Sequence, residues 1–153
     1  MQIRIAGSAE RSALDELHRQ SSYVWEEDRA NLEAHPDALG IAPTALAEGR
    51  VHVAIGPDED ILGFSIVAFT ASGVCELDDL FVAPEFMRQG VGRALVSHAA
   101  ARAGLAGCSQ MTVVAHPRNF AFYESVGFVA GEPASTRFGP AARMWRELNN
   151  ECE

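Results

Sequence analysis

Apolar residues recur along this chain with two different periods. Short alternating or continuous runs occur at Ile3-Arg4-Ile5, Val51–Ile55, Ile61–Thr70, Val74–Val82 and Met111–Ala115, and such runs predict strands. Spacings of three and four occur at Leu14 and Leu17, and again at Val91, Leu95, Val96, Ala99 and Ala103, which places those residues on one face of a helix. The first strand is expected over Met1–Ala6. Ser8 is the expected N-cap of a helix running to about Ser22, with Arg11 where a capping box would carry an acid. From Val24 to Gly49, prolines interrupt a series of helix formers, which predicts broken helix with pieces at 26–34 and 43–48.

The turn at Pro57-Asp58-Glu59-Asp60 and the turn at Ala71-Ser72-Gly73 join three strands in succession, an antiparallel meander. Ala83-Pro84 stops the third strand, and Gly104 is placed to end the long helix that follows. Strand, helix and strand in succession make a crossover with two parallel strands. The helix-like FAFYESV, a strand opened by Gly127-Phe128, and a strand over about Ala142–Leu148 complete the chain. The order β, α, broken α, β, β, β, α, β, α, β, β predicts one mixed α/β domain over 1–153, α+β in stricter schemes.

Composition narrows the classes. Hydrophobic residues at 48% and charged residues at 22% are those of an ordinary globule. Twelve Lys and Arg against 21 Asp and Glu give a net charge of −9. That balance argues against a nucleic-acid or anionic-membrane surface and favours a cationic small substrate, unless acidity serves solubility alone. MQIRIAGSAE has no apolar signal core and no run approaches membrane-spanning length, so a cytoplasmic protein is expected. Cys75, Cys108 and Cys152 are widely spaced without a C-x-x-C pair, so reduced thiols are expected and no metal site.

The chemistry concentrates between Glu76 and Gly104. Gly90-Val91-Gly92 precedes the long helix, where missing side chains admit a ligand to main-chain N–H groups at the positive end of the helix dipole. Phosphate fits there; an ordinary tight loop is the competing reading. A dinucleotide fingerprint would need Gly or Ala where Leu95 stands, and a P-loop would need Gly-Lys followed by Ser or Thr.

The segments VAPEFMRQGVGRAL and NFAFYESVGF, in that order, resemble the acetyl-CoA-binding motifs of the GCN5-related N-acetyltransferases (GNAT). The resemblance implies a central, mostly antiparallel sheet with helices on both faces and a splayed pair of parallel strands. It implies a phosphate loop at Met87-Arg88-Gln89-Gly90-Val91-Gly92, held through the main-chain N–H groups from Arg88 to Arg93. Met87 stands where the family commonly has Gln or Arg. Arg88 is a candidate charge partner for phosphate, or else an exposed solvating arginine. Leu80, Phe81 and Val82 are implied to pair by their main chain with the pantetheine arm, and an N–H there to stabilise charge on the thioester oxygen.

The family's coenzyme-contacting Asn commonly lies five residues before its Tyr. Arg118 holds that place here and Asn119 follows it, so both are candidate contacts, with an N-cap as the other reading of Asn119. Tyr123 matches the tyrosine beside the coenzyme sulfur and is the candidate donor to it; packing in the core, as expected for Phe120 and Phe122, is the alternative. An amine of pKa about 10.4 must lose a proton before it attacks. Glu76, eleven residues before Met87, matches a base position of some members, with Asp78 on its face and Asp79 on the other. His116 is a second base, a substrate contact or a solvated histidine. Tyr23 and Trp25, beside Glu26, Glu27 and Asp28, would meet the amine at a pocket opening or form a solvated helix face.

The implied activity is transfer of acetyl from acetyl-CoA to an amine, a small molecule by the acidic balance. Attack is expected to be direct in a ternary complex, because no cysteine stands in the site motifs. A homodimer is common in the family. Two other classes stay open: an acyl-CoA sensor or partner subunit that has lost transfer, and a nucleotide-binding regulatory domain.

Overall fold

The computed structural model describes residues 1–22, 43–70, 72–136 and 139–148. The chain runs β1 (Gln2–Ile5), α1 (Arg11–Ser22), α2 (Pro43–Ala47), β2 (Val51–Ile55), β3 (Ile61–Phe69) and β4 (Val74–Val82). It continues through α3 (Val91–Leu105), β5 (Gln110–Ala115), α4 (Phe120–Ser125), β6 (Val129–Thr136) and β7 (Gly139–Glu147). The seven strands form one mixed sheet in the order β1-β2-β3-β4-β5-β7-β6. β1 with β2, β2 with β3, β5 with β7 and β6 with β7 are antiparallel, and β4 with β5 is parallel. Among the described residues the expected strand number and parallel pair are present, and β7 lies between β5 and β6. Contacts group the residues into two compact units, Met1–Ile66 with Asp79–Leu95 and Val67–Asp78 with Val96–Glu153.

In the first unit, strand alternation sends neighbours to opposite faces. Val51, Val53, Phe64 and Ile66 bury against Leu14 and Leu17 of α1 and Ala45 of α2. Ala54 faces the other way and buries with Leu62, Val91 and Leu95 at the start of α3. Helices therefore cover both faces. A register shift at Ala54/Ile55 makes Leu62 the extra residue, and this bulge lets Ile61 pack with the first cluster and Leu62 with the second. Each fully buried Val, Leu or Phe contributes about 1.5–3 kcal/mol relative to exposure. The start of α1 differs from the expectation at Ser8. A 3-10 turn over Ser8–Glu10 precedes the helix, and the box acid is Glu10, whose carboxylate accepts the Gly7 N–H at 2.9 Å. Arg4 donates to both oxygens of Glu10 at 2.8 and 3.0 Å, and that bond is the main reason the Glu10 pKa is lowered.

The second unit shows the clean alternation of a half-covered sheet. Cys75 and Leu77 of β4, Met111, Val113 and Ala115 of β5, and Met144 of β7 are buried, while Glu76, Thr112 and Val114 are half-buried. Burial pushes the Cys75 thiol up to about 12, with Cys108 beside it adding to the shift, so the Cys75 thiol is an inert packing group at neutral pH. The long helix passes Gly104 and ends at Leu105. Gly107, at φ +95°, supplies the left-handed residue: its N–H reaches Gly104 O, and the Cys108 N–H reaches Ala103 O, both at 3.0 Å.

Candidate active site

The first unit carries the loop. After Pro84 opens a 3-10 turn over Pro84–Phe86, the Met87 N–H returns to Pro84 O at 3.4 Å and the chain reverses through two left-handed residues, Arg88 at φ 66° and Gly90 at φ 84°. Left-handed backbone is uncommon for a residue with a Cβ and concentrates at functional turns. The Ala94 N–H donates to Gly90 O at 3.0 Å and closes the first helical turn. The N–H groups of Val91, Gly92 and Arg93 precede that bond, so helix geometry leaves them without a carbonyl of the same helix. They stand at the positive end of a 15-residue helix. A Cβ at Gly90 would meet no atom within 4 Å, so the position faces open space. Arg88, Gln89, Gly90 and Arg93 are exposed, Gly92 and Met87 are half-buried, and Val91 anchors the turn in the core. The Gln89 amide folds back onto Glu85 O at 3.4 Å. Amides without a carbonyl of their own helix, two exposed guanidiniums and an open glycine fit a polyphosphate.

The same unit holds the end of β4. Leu80, Phe81 and Val82 are half-buried. Gly63 of β3 lies so close that a Cβ on it would come within 2.6 Å of Phe81 O and 3.2 Å of Val82 Cα. The Phe81 ring stands edge-on to His18 of α1, centroids 4.4 Å apart. One turn further along α1, the Ser21 hydroxyl donates to Val82 O at 2.8 Å. Gly63 and Ser21 were not anticipated. An isolated glycine in an apolar strand is a signal of close backbone approach, and Ser21 continues the buried face of Leu14 and Leu17.

The second unit holds the acid–base candidates other than Asp79, with which the first unit resumes. The β4–β5 ladder runs from Val74↔Gln110 to Glu76↔Thr112, while β4 continues to Val82 and β5 to Ala115. Glu76 therefore stands at the last rung. Arg143 of β7 lies 3.5 Å from its carboxylate, with side chains 48% and 35% exposed respectively. Sequence alone did not point to Arg143, which strand register brings diagonally across β5. Asp78 is exposed and Asp79 half-buried. His116 caps the 3-10 turn over Pro117–Asn119: its Nδ1 accepts the Arg118 N–H at 3.2 Å, so in the neutral ring the proton sits on Nε2. Arg118 and Asn119 are half-buried, and Asn119 precedes α4 without a side-chain cap bond. Tyr123 is 7% exposed and edge-packed on Phe122 at 5.1 Å and Phe128 at 5.5 Å. Phe120 and Phe122, expected in the core, are only half-buried: the short helix turns its tyrosine inward instead. Tyr23 and Trp25 lie outside the described residues.

A mixed sheet with a partly laddered parallel pair, followed by an amide-rich loop opening a long helix, is the acyl-CoA N-acyltransferase fold. Residues 47–130 match the model of the acetyltransferase (GNAT) domain, more than half of the chain, and the chain belongs to that family. Acetyl-CoA is its cosubstrate. A streptothricin acetyltransferase of Streptomyces lavendulae is 40% identical over 55 residues, which span 35% of this chain and 29% of that protein. PaiA N-acetyltransferase of Thermoplasma acidophilum, solved with coenzyme A, superposes with a TM-score of 0.76 at 21% identity over 96% of this chain and 98% of that one. A phosphinothricin acetyltransferase of Sinorhizobium meliloti, solved with acetyl-CoA, gives 0.72 at 22% over 97% and 88%. At these identities the structural likeness speaks for the fold. No described helix is long and apolar enough to cross a membrane.

Proposed function

We propose that this protein transfers the acetyl group of acetyl-CoA to the nitrogen of a small-molecule amine, by direct attack within a ternary complex. The observation that carries the reading is the Arg88–Gly90 reversal, whose left-handed residues lead directly into the first turn of α3 inside the segment that matches the family model. Those amides, with Arg88 and Arg93, hold the phosphates; the main chain of Leu80, Phe81 and Val82 pairs with the pantetheine arm. Arg118 and Asn119 are the further coenzyme contacts. Glu76 takes the amine's proton, directly or through water, and Arg143 orients its carboxylate. Tyr123 donates a hydrogen bond to the departing sulfur. Asp78, His116, Tyr23 and Trp25 are assigned to the acceptor.

A small amine is favoured by the net charge of −9, which attracts cations, and by relatives named for streptothricin and phosphinothricin. The same reading takes 1–153 as one cytoplasmic domain. The test is release of CoA thiol across a panel of amines that includes aminoglycoside-like, amino-acid and peptide members. One or more small amines should accelerate release at least tenfold over hydrolysis. Acceleration by peptides alone would reassign the acceptor, and binding of acetyl-CoA without acceleration by any amine would make the protein a sensor.

A further inference from the structure

The peptide group between Val82 and Ala83 is held at both ends. Its carbonyl, Val82 O, accepts the Ser21 hydroxyl at 2.8 Å, and its amide, the Ala83 N–H, donates to Leu62 O at 2.8 Å. Ser21 is 4% exposed and Val82 half-buried, so this bond is partly shielded from water, where a lost partner costs more than at an open surface. The next peptide back is crowded from one side by β3, since a Cβ on Gly63 would sit 2.6 Å from Phe81 O. From the other side the Phe81 side chain is packed on the buried His18 ring, centroids 4.4 Å apart. His18 and Ser21 lie on the same face of α1.

We infer that Ser21 is a positioning residue for acetyl-CoA: by holding Val82 O it fixes the rotation of the last β4 peptides, and so aims the main-chain groups of Leu80, Phe81 and Val82 at the pantetheine arm. The role assigned to the hydroxyl is indirect, through its bond to the strand. The inference rests on the pairing of β4 with the pantetheine arm proposed above. A free strand end would have to be ordered when the arm binds, and a strand already locked avoids that loss.

Two ligands separate a positioning role from a merely structural one: acetyl-CoA, and the nucleotide fragment of CoA that lacks the pantetheine arm. Their affinities are measured by calorimetry on the full chain. In Ser21→Ala, acetyl-CoA affinity should fall about five- to tenfold, an ordering cost within what one side-chain hydrogen bond can offset, while affinity for the fragment stays within about twofold. Ser21→Thr, which restores the hydroxyl, should recover most of the loss. Equal affinity of wild type and Ser21→Ala for acetyl-CoA, or an equal loss for both ligands, overturns the inference. If Ser21→Ala does not fold, Ser21→Cys supplies the same comparison with a weak donor and must show the same split at smaller size; no split there also overturns it. Should the wild type bind both ligands equally well, the β4 pairing itself is wrong, an outcome distinct from failure of the Ser21 role alone.

Discussion

His18 is the titratable side chain built most deeply into the element that supports β4. It is 6% exposed, and burial pushes its pKa below the ordinary 6.5. The unfolded chain therefore binds a proton before the folded one does, and stability rises with pH across that window. Full stability is present above about pH 6.5 and declines as the pH falls from there toward the lowered folded value. His98, lowered by burial and by Arg102, adds with the same sign. The melting temperature should be flat near neutrality and fall on acidification below about pH 6.5; His18→Phe should make that slope shallower. An unchanged slope would show that His18 does not titrate in this range. Glu76 and Arg143 give the complementary case. Both are about a third to a half exposed, so their ion pair is worth about 0–1 kcal/mol or less in stability, and replacing either leaves the fold intact. Glu76→Gln should then lower turnover, most at low pH where the amine is hardest to deprotonate. Wild-type rates for Glu76→Gln with a crippled Asp78→Asn would move the base to Asp78. Tyr123→Phe keeps the packing on Phe122 and Phe128 and removes only the hydroxyl. A loss of about 10²-fold in turnover at near-normal acetyl-CoA affinity is expected, and near-wild-type turnover would leave Tyr123 a packing residue.

At the scale of elements, the loop and the strand beside it respond to substitution for opposite reasons. A Cβ added at Gly90 meets no atom of the protein within 4 Å, but Gly90→Val forces a β-branched residue to φ 84° and fills space that the proposed function gives to the phosphates. It should abolish the acetyl-CoA thermal shift while the domain still folds. Gly63→Ala instead drives a Cβ into the Phe81 carbonyl and should cost about 1–3 kcal/mol as overpacking, read as a lower melting temperature. β4, β5, the long helix and the glycine loop were legible because their signals are local: an apolar run stopped by Ala83-Pro84, a helical period, a glycine pair. The ends of α1 and α3 were less so. Gly7 with Glu10 begins the first turn, rather than Ser8, and Gly107 ends the long helix rather than Gly104. The choice among neighbouring cap residues depends on backbone angles that composition does not specify. The placing of β7 between β5 and β6 is a long-range pairing, which no local period encodes. For the same reason Arg143 and Ser21 were missed: each earns its place through a partner 67 or 61 residues away, at Glu76 and Val82.

For the molecule as a whole, composition set the charge and the two coenzyme motifs pointed to the family, and the fold agrees with both. Acetyl-CoA, binding the folded state, should raise the melting temperature, with about 2.7 kcal/mol expected at one hundred times its dissociation constant. NAD and ATP, which lack the pantetheine arm, should do much less. The decisive measurement follows the acetyl group itself. Acetyl-CoA labelled in its acetyl carbons is incubated with the protein and an amine that accelerates thiol release, and the label is located by mass spectrometry. Direct transfer predicts the label on the amine nitrogen, one CoA thiol for each amide formed, and no label on the quenched protein. Label retained on CoA in the presence of every amine, although acetyl-CoA binds, would contradict the assignment of this protein as an N-acetyltransferase.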